Sequence, residues 1–311
     1  MKAALTRKSL HGVWHALIVP WTDRDEVDSA RFAKECRAFA GTGIHGMYTG
    51  GTTGEFYAQD DESFKTITKI ACDEGHAAGL PVQVGCSTLS TRTARQRIRF
   101  AVEAGADGIQ IAYPFWLELQ PDEALGFFKD VACEAGPIPI IIYHTSRCKR
   151  KLSPEEIGVI AHEVPSFIGM KDTGCDIPTL KAMLKLAPDL SVFGGEDFYD
   201  RMPNGGRGGY CSITGLNARF IVEYYNLCAA GNFEQAKGHH LIVKRLLDEA
   251  LLPLNRNDGL WDSAIDRVQR VAGGGDIGIR CQAPYRSATP AHVEQVKQWC
   301  RANAPQLLSN P

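Results

Sequence analysis

Eight short apolar runs recur between residues 12 and 214, interleaved with segments whose apolar residues follow helical spacing. That alternation constrains the fold more than any other feature, because repeated strand–helix–strand connections wind right-handed into a parallel sheet. The runs fall at residues 12–20, 46–48, 81–86, 107–114, 138–143, 167–174, 190–195 and 209–214. The spacing predicts helices over 28–39, 60–78, 91–104, 121–135 and 177–186, with another opening at Ser153. Local punctuation supports them: Asp28-Ser29 as a cap, glycines at 41, 43, 79 and 105 as stops, and Ser153-Pro154-Glu155-Glu156 as a helix start. Eight strands in this rhythm predict an α/β chain folded as a (β/α)8 TIM barrel. The competing doubly wound open sheet is disfavoured, because the turn after the first strand lacks a phosphate-type glycine fingerprint and the strand count reaches eight.

Beyond Asn217 the pattern changes. Residues 218–229, 233–251, 263–272 and 290–301 read as helices with no strands between them. The expected organisation is a barrel over residues 1–230 and a C-terminal helical extension over 231–311.

A formal net charge of -2 provides no basic field for nucleic acid. No apolar run is long enough to span a bilayer, and the basic opening at residues 1–8 is followed by no apolar leader core. A soluble, cytoplasmic protein is expected. The ten cysteines are irregularly spaced with no C-x-x-C pair, so they read as reduced thiols. His239-His240 falls in the helical extension, and no metal is expected.

Reactive residues collect where the strands end, which in a barrel is where active sites are built. The sixth run, Phe167-Ile168-Gly169-Met170-Lys171-Asp172-Thr173-Gly174, carries one lysine at its polar tip. An ordinary lysine, with pKa about 10.4, is neutral in only about one molecule in two thousand at pH 7; burial raises that fraction and suits a Schiff-base nucleophile. The same lysine could instead close the strand in a salt bridge with Asp172. Tyr143 ends the neighbouring fifth strand, where a phenol can exchange protons with the amine through a bound substrate or simply close the barrel. The second strand runs into Thr52-Thr53-Gly54-Glu55, a turn whose hydroxyl and backbone N–H donors can hold a carboxylate, or a plain β-to-α turn.

Gly50-Gly51-Thr52-Thr53-Gly54-Glu55, Tyr143 and Gly169-Met170-Lys171-Asp172, in this order, resemble the dihydrodipicolinate synthase and N-acetylneuraminate lyase family. Gly195-Glu196 and Gly205-Gly206-Arg207-Gly208 extend the resemblance, which runs from Gly12 through the helical tail. It implies a class I, pyruvate-dependent lyase or aldolase with no cofactor beyond a covalent imine on Lys171, needing neither metal nor nucleotide. The catalytic residues it implies are Lys171, Tyr143 and Thr53. The substrate-binding residues are Gly51, Thr52, Thr53, Gly195, Arg147, Trp116 and Cys211, with the Gly195 carbonyl lining the pocket. The implied partners are a 2-oxo acid and an aldehyde, in a homodimer or homotetramer.

Departures from the family pattern bear on substrate. Synthase members follow the strand-four proline with a tyrosine pair, one of which completes a proton relay in the neighbouring subunit; here Pro114 is followed by Phe115-Trp116. The proline that follows the strand-five tyrosine is missing, so either Arg147 or Cys148 falls on the family's carboxylate-binding arginine. Phe115 and Trp116 suggest a broader, more apolar acceptor pocket, or subunit packing. The alternatives are a synthase condensing pyruvate with aspartate semialdehyde and a non-catalytic barrel that binds a 2-oxo acid.

Overall fold

The apolar runs fold as β1 (Gly12–Ala16), β2 (Gly46–Thr49), β3 (Val82–Gly85), β4 (Gly108–Ile111), β5 (Ile140–His144), β6 (Phe167–Asp172), β7 (Ser191–Gly194) and β8 (Gly208–Cys211). In the computed structural model, which describes residues 4–308, these strands close into a barrel in sequence order. The opening Met1-Lys2-Ala3 lies outside the described residues. Every strand residue is buried. Helices cover one face of the sheet and side chains fill the other, so the strands read as continuous apolar runs without alternation.

Around the barrel lie α1 (Ser29–Ala38), α2 (Asp61–Ala77), α3 (Thr91–Glu103), α4 (Pro121–Ala135), α5 (Pro154–Glu163), α6 (Ile177–Leu186), the single turn α7 (Phe198–Arg201) and α8 (Thr214–Ala229). Their starts follow side-chain chemistry. Asp28, Asp60, Ser90, Ser153 and Asp176 each accept a hydrogen bond from a first-turn backbone N–H, and Ser153 with Glu156 forms a reciprocal capping box. Gly79 and Gly105, at φ 76° and 88°, take the left-handed conformation that ends α2 and α3.

After the barrel come α9 (Phe233–Leu246), α10 (Leu252–Asp258), α11 (Asp262–Ala272) and α12 (Pro290–Asn303). Two helices differ from the sequence expectation. The helix expected from residue 218 begins at Thr214 and kinks at Asn217, whose Oδ1 accepts from the Phe220 N–H and restarts the helix. The single helix expected over 233–251 is α9 followed by a π-helical stretch, Leu247–Leu251, and then α10. Pro253 explains the break, since it has no N–H to donate back one turn and its ring crowds the preceding turn.

Packing resolves the chain into two compact units. The first joins the segment ending at Gly12 to Pro81–Tyr210, with Phe128, Phe167, Phe193 and Phe198 in its core. The second joins Val13–Leu80 to the segment beginning at Cys211, and Trp14, Phe32, Tyr48 and Tyr224 are fully buried in it.

Candidate active site

In the first unit, parallel register sets Tyr143 beside Lys171 and Lys171 beside Phe193. Lys171 is 8% exposed and Tyr143 3%. The Lys171 Nζ lies 4.9 Å from the Tyr143 ring centroid and 5.6 Å from that of Tyr210 on β8. β6 and β8 are not neighbours, so Lys171 and Tyr210 meet inside the barrel. The Tyr210 hydroxyl donates at 2.7 Å to Oε1 of Gln83 on β3, a second bond through the interior. The amine thus lies over two aromatic rings, one of them on the adjoining strand. A close approach beneath it requires glycine: a Cβ at Gly169 would lie 2.6 Å from Leu10 Cδ2 and 2.7 Å from the Ser191 carbonyl oxygen.

The next residue on each strand faces the other way. His144 and Asp172 are register partners, and His144 Nδ1 lies 2.9 Å from Asp172 Oδ1. The Leu152 N–H donates to His144 Nε2, so Nδ1 carries the proton that goes to Asp172. Lys151 Nζ donates to the same Asp172 oxygen at 2.7 Å and to the Thr173 carbonyl. Burial raises the Asp172 carboxyl, but the hydrogen bonds from His144, Cys175 and Lys151 outweigh it and hold the group well below the usual carboxylate range. His144 and Lys151 thus share one oxygen of this carboxylate. Arg201, 3% exposed, donates to the Asp172 and Cys175 carbonyls and pairs with Asp197. These bonds lock the tips of β5 and β6, the positions that carry Tyr143 and Lys171.

The loops after β4 and β5 hold the departures from the family pattern. Trp116 is 72% exposed, with Lys149 Nζ 5.9 Å from its ring. Arg147 is exposed. Cys148 is buried, its thiol pushed up to about 11 by burial and directed at the Tyr113 carbonyl. The Tyr113 hydroxyl is taken up by the Arg150 carbonyl at 2.6 Å, and Arg150 makes a two-pronged pair with Glu156. Past β7, the Gly195 carbonyl oxygen packs where a Cβ on Gly209 would stand.

In the second unit, β2 leads into the Gly51-Thr52-Thr53 turn, with Gly50 at φ 69°. Thr52 and Thr53 are 8% and 6% exposed. Thr53 Oγ1 donates to Asp266 Oδ2 at 2.7 Å. Glu55 is fully buried at φ 57°; its Oε1 accepts from Arg267 Nε and Nη2 at 3.0 and 2.7 Å, and its Oε2 from the Gln282 N–H at 2.7 Å. α11 therefore anchors the turn through two successive residues, Asp266 and Arg267. Cys211, fully buried at the end of β8, belongs to the same unit.

The structure brings Lys171 and Tyr143 together in the first unit, and in the second Thr52 and Thr53 follow β2. Sequence reasoning missed Tyr210, which within an apolar strand reads as one more core aromatic. It missed His144 and Lys151 as well, and it missed Asp266 and Arg267, whose charges on a helix read as a solvated face. Among the described residues, no group of three or more His, Cys, Asp or Glu is arranged to hold a metal ion, and no helix is long and apolar enough to cross a membrane.

Residues 9–257 match the Dihydrodipicolinate synthetase family. The chain is similar to a 4-hydroxy-tetrahydrodipicolinate synthase of Nitratidesulfovibrio vulgaris, with 30% identity over 289 residues covering 92% of this chain and 96% of that protein. It is also similar to an N-acetylneuraminate lyase of Rhizobium meliloti, 25% identical over 245 residues, covering 76% and 79%. In fold it is similar to YagE, an E. coli K12 prophage protein of the dihydrodipicolinic acid synthase family crystallised with pyruvate. That comparison has a TM-score of 0.85 at 20% identity over 96% of this chain and 98% of that one.

Proposed function

Since this chain belongs to the Dihydrodipicolinate synthetase family, we propose that it is a Schiff-base lyase acting on pyruvate or a related 2-oxo acid. The observation that carries this reading is the buried Lys171 amine, 4.9 Å from the ring of Tyr143 at the end of the adjoining strand. Neutral Lys171 attacks the keto carbon, water leaves, and the resulting imine draws electrons from the neighbouring carbon. Loss of a proton there gives an enamine that adds to an aldehyde, and the reverse path cleaves the bond. Tyr143 moves the protons. The Thr52-Thr53 turn holds the 2-oxo acid's carboxylate, with Thr52 and the backbone N–H groups as donors and the Thr53 hydroxyl oriented by Asp266. The Gly195 carbonyl and Cys211 line the pocket, and Arg147 and Trp116 face the second substrate. The barrel over residues 1–230 carries these groups and residues 231–311 extend it. No metal or nucleotide enters this scheme, and a cytoplasmic homodimer or homotetramer suits it.

Borohydride reduction in the presence of pyruvate is expected to add one covalent pyruvyl mass at Lys171, and Lys171→Ala to abolish the addition. Unmodified wild-type protein after this treatment overturns the reading. It would leave a barrel that binds a 2-oxo acid without catalysis.

The 30% identity to a 4-hydroxy-tetrahydrodipicolinate synthase supports a second reading, condensation of pyruvate with aspartate semialdehyde. The tyrosine hydroxyl of the synthase relay is replaced by Phe115-Trp116, so little turnover is expected in a coupled assay with aspartate semialdehyde. The aldehyde of a productive reaction is the one whose condensation with pyruvate consumes both.

A further inference from the structure

A cavity of about 410 Å³ opens in the second unit, lined by residues of α1, α8 and α11 and the segments that follow α1 and α11. Its walls include Phe39, Thr42, Thr214, Arg219 and Arg270. Arg270 is 7% exposed. Its Nε donates to both carboxylate oxygens of Glu35, at 2.7 and 2.9 Å, and its guanidinium carbon lies 5.1 Å from the Phe39 ring centroid. The two terminal nitrogens make no hydrogen bond to the protein among the described residues, so the open end of a planar, nine-tenths buried guanidinium is left to the cavity. Arg219, exposed at the rim, makes no ion pair or hydrogen bond among the described residues either.

The remaining polar groups of the wall are occupied. The Thr214 hydroxyl donates to the Cys211 carbonyl and accepts from His15 Nδ1, and the Thr42 hydroxyl donates to the Phe39 carbonyl. The side-chain donors left for a guest are therefore guanidinium N–H groups. Glu35 neutralises one of the two positive charges from behind, so the cavity carries a net charge of about one. We infer that this cavity is a binding site for a small organic anion, whose carboxylate or phosphate oxygens take the Arg270 fork and the Arg219 guanidinium. Two-pronged recognition of a planar or trigonal anion is what a free guanidinium edge provides. The volume exceeds what a bare anion fills and lies at the small end of organic-ligand pockets, and the Phe39 ring provides an apolar wall for the rest of the molecule.

The placement has a functional side. Arg270 lies four residues beyond Asp266 and three beyond Arg267, one turn along the helix that holds the Thr53 hydroxyl and the Glu55 carboxylate. An anion drawn onto Arg270 acts on the element that anchors the Gly51-Thr52-Thr53 turn.

Isothermal titration with phenyl phosphate, benzoate and inorganic phosphate tests the assignment and identifies the anion class. Saturable binding of phenyl phosphate or benzoate, weakened at least tenfold in Arg219→Glu and unchanged in Lys171→Ala, is expected. Arg270→Lys keeps a cation beside Glu35 while removing the fork, and is expected to weaken binding at an unchanged melting temperature. The inference is overturned if neither organic anion binds saturably, if Arg219→Glu binds as tightly as wild type, or if Lys171→Ala abolishes binding. The last result would put the anion in the Lys171 site.

Discussion

Tyr143 and Lys171 meet because they are register partners on adjoining strands, and each is followed by a residue that faces the other way and is locked in place. Replacing Tyr143 by Phe keeps the ring against Lys171 and removes only the proton-carrying group. Turnover is expected to fall by about a hundredfold to ten-thousandfold, while borohydride still traps pyruvate on Lys171. Steady-state rates with intact-protein mass spectra separate the two effects. For Asp172, the bonds from His144 and Lys151 outweigh burial and depress the carboxyl in the folded chain relative to the unfolded one. Its stabilisation is therefore complete above the unfolded value of about 3.9 and is lost as pH falls below that toward the folded value. Urea melts at pH 7, 4 and 2.5 are expected to show wild type more stable than Asp172→Asn at pH 7, with the gap closing below pH 4. Lys171 and Tyr143 were legible in the sequence because each is a polar residue closing an apolar run. Tyr210 was not, because an aromatic inside such a run carries no local sign that it crosses the barrel.

At the scale of elements, α11 carries the strongest departure from pattern. An ordinary amphipathic helix turns its charges to water, yet Asp266, Arg267 and Arg270 are only 5%, 0% and 7% exposed. Each is matched by a partner far away in sequence: Thr53, Glu55 and Glu35. Removing one member of a buried pair leaves the other charged and unpaired. Arg267→Ala is therefore expected to cost about 3–5 kcal/mol of stability, measured by urea unfolding. Glu55→Gln combined with Arg267→Met, which leaves no buried charge behind, is expected to recover much of that loss. The helix starts were legible because caps are local, four or fewer residues deep. The π-helical stretch before α10 was not, since the apolar spacing continues through it and only Pro253 marks the break. The burial of the α11 charges was not legible either, because their partners lie more than 200 residues away.

For the whole molecule, repetition made the barrel readable. Eight similar strand–helix units leave few ways to close a parallel sheet, and each unit signals itself locally. The assembly of the second unit was not readable, for it joins Val13–Leu80 to the chain beyond Tyr210. That arrangement sets an order of events during synthesis. Residues 35, 53 and 55 leave the ribosome before their partners at 270, 266 and 267, which follow only after 235, 213 and 212 further residues. At typical elongation rates the interval is about 10–50 s. Through it, the carboxylates of Glu35 and Glu55 remain in water, since burying them alone would be prohibitive. Ribosome-bound chains arrested soon after Leu251 are expected to be cleaved by protease within residues 13–80, and the same region to become resistant once α11 has emerged. Translation thus keeps the Thr52-Thr53 turn unfinished until α11, more than 200 residues further along the chain, has been made.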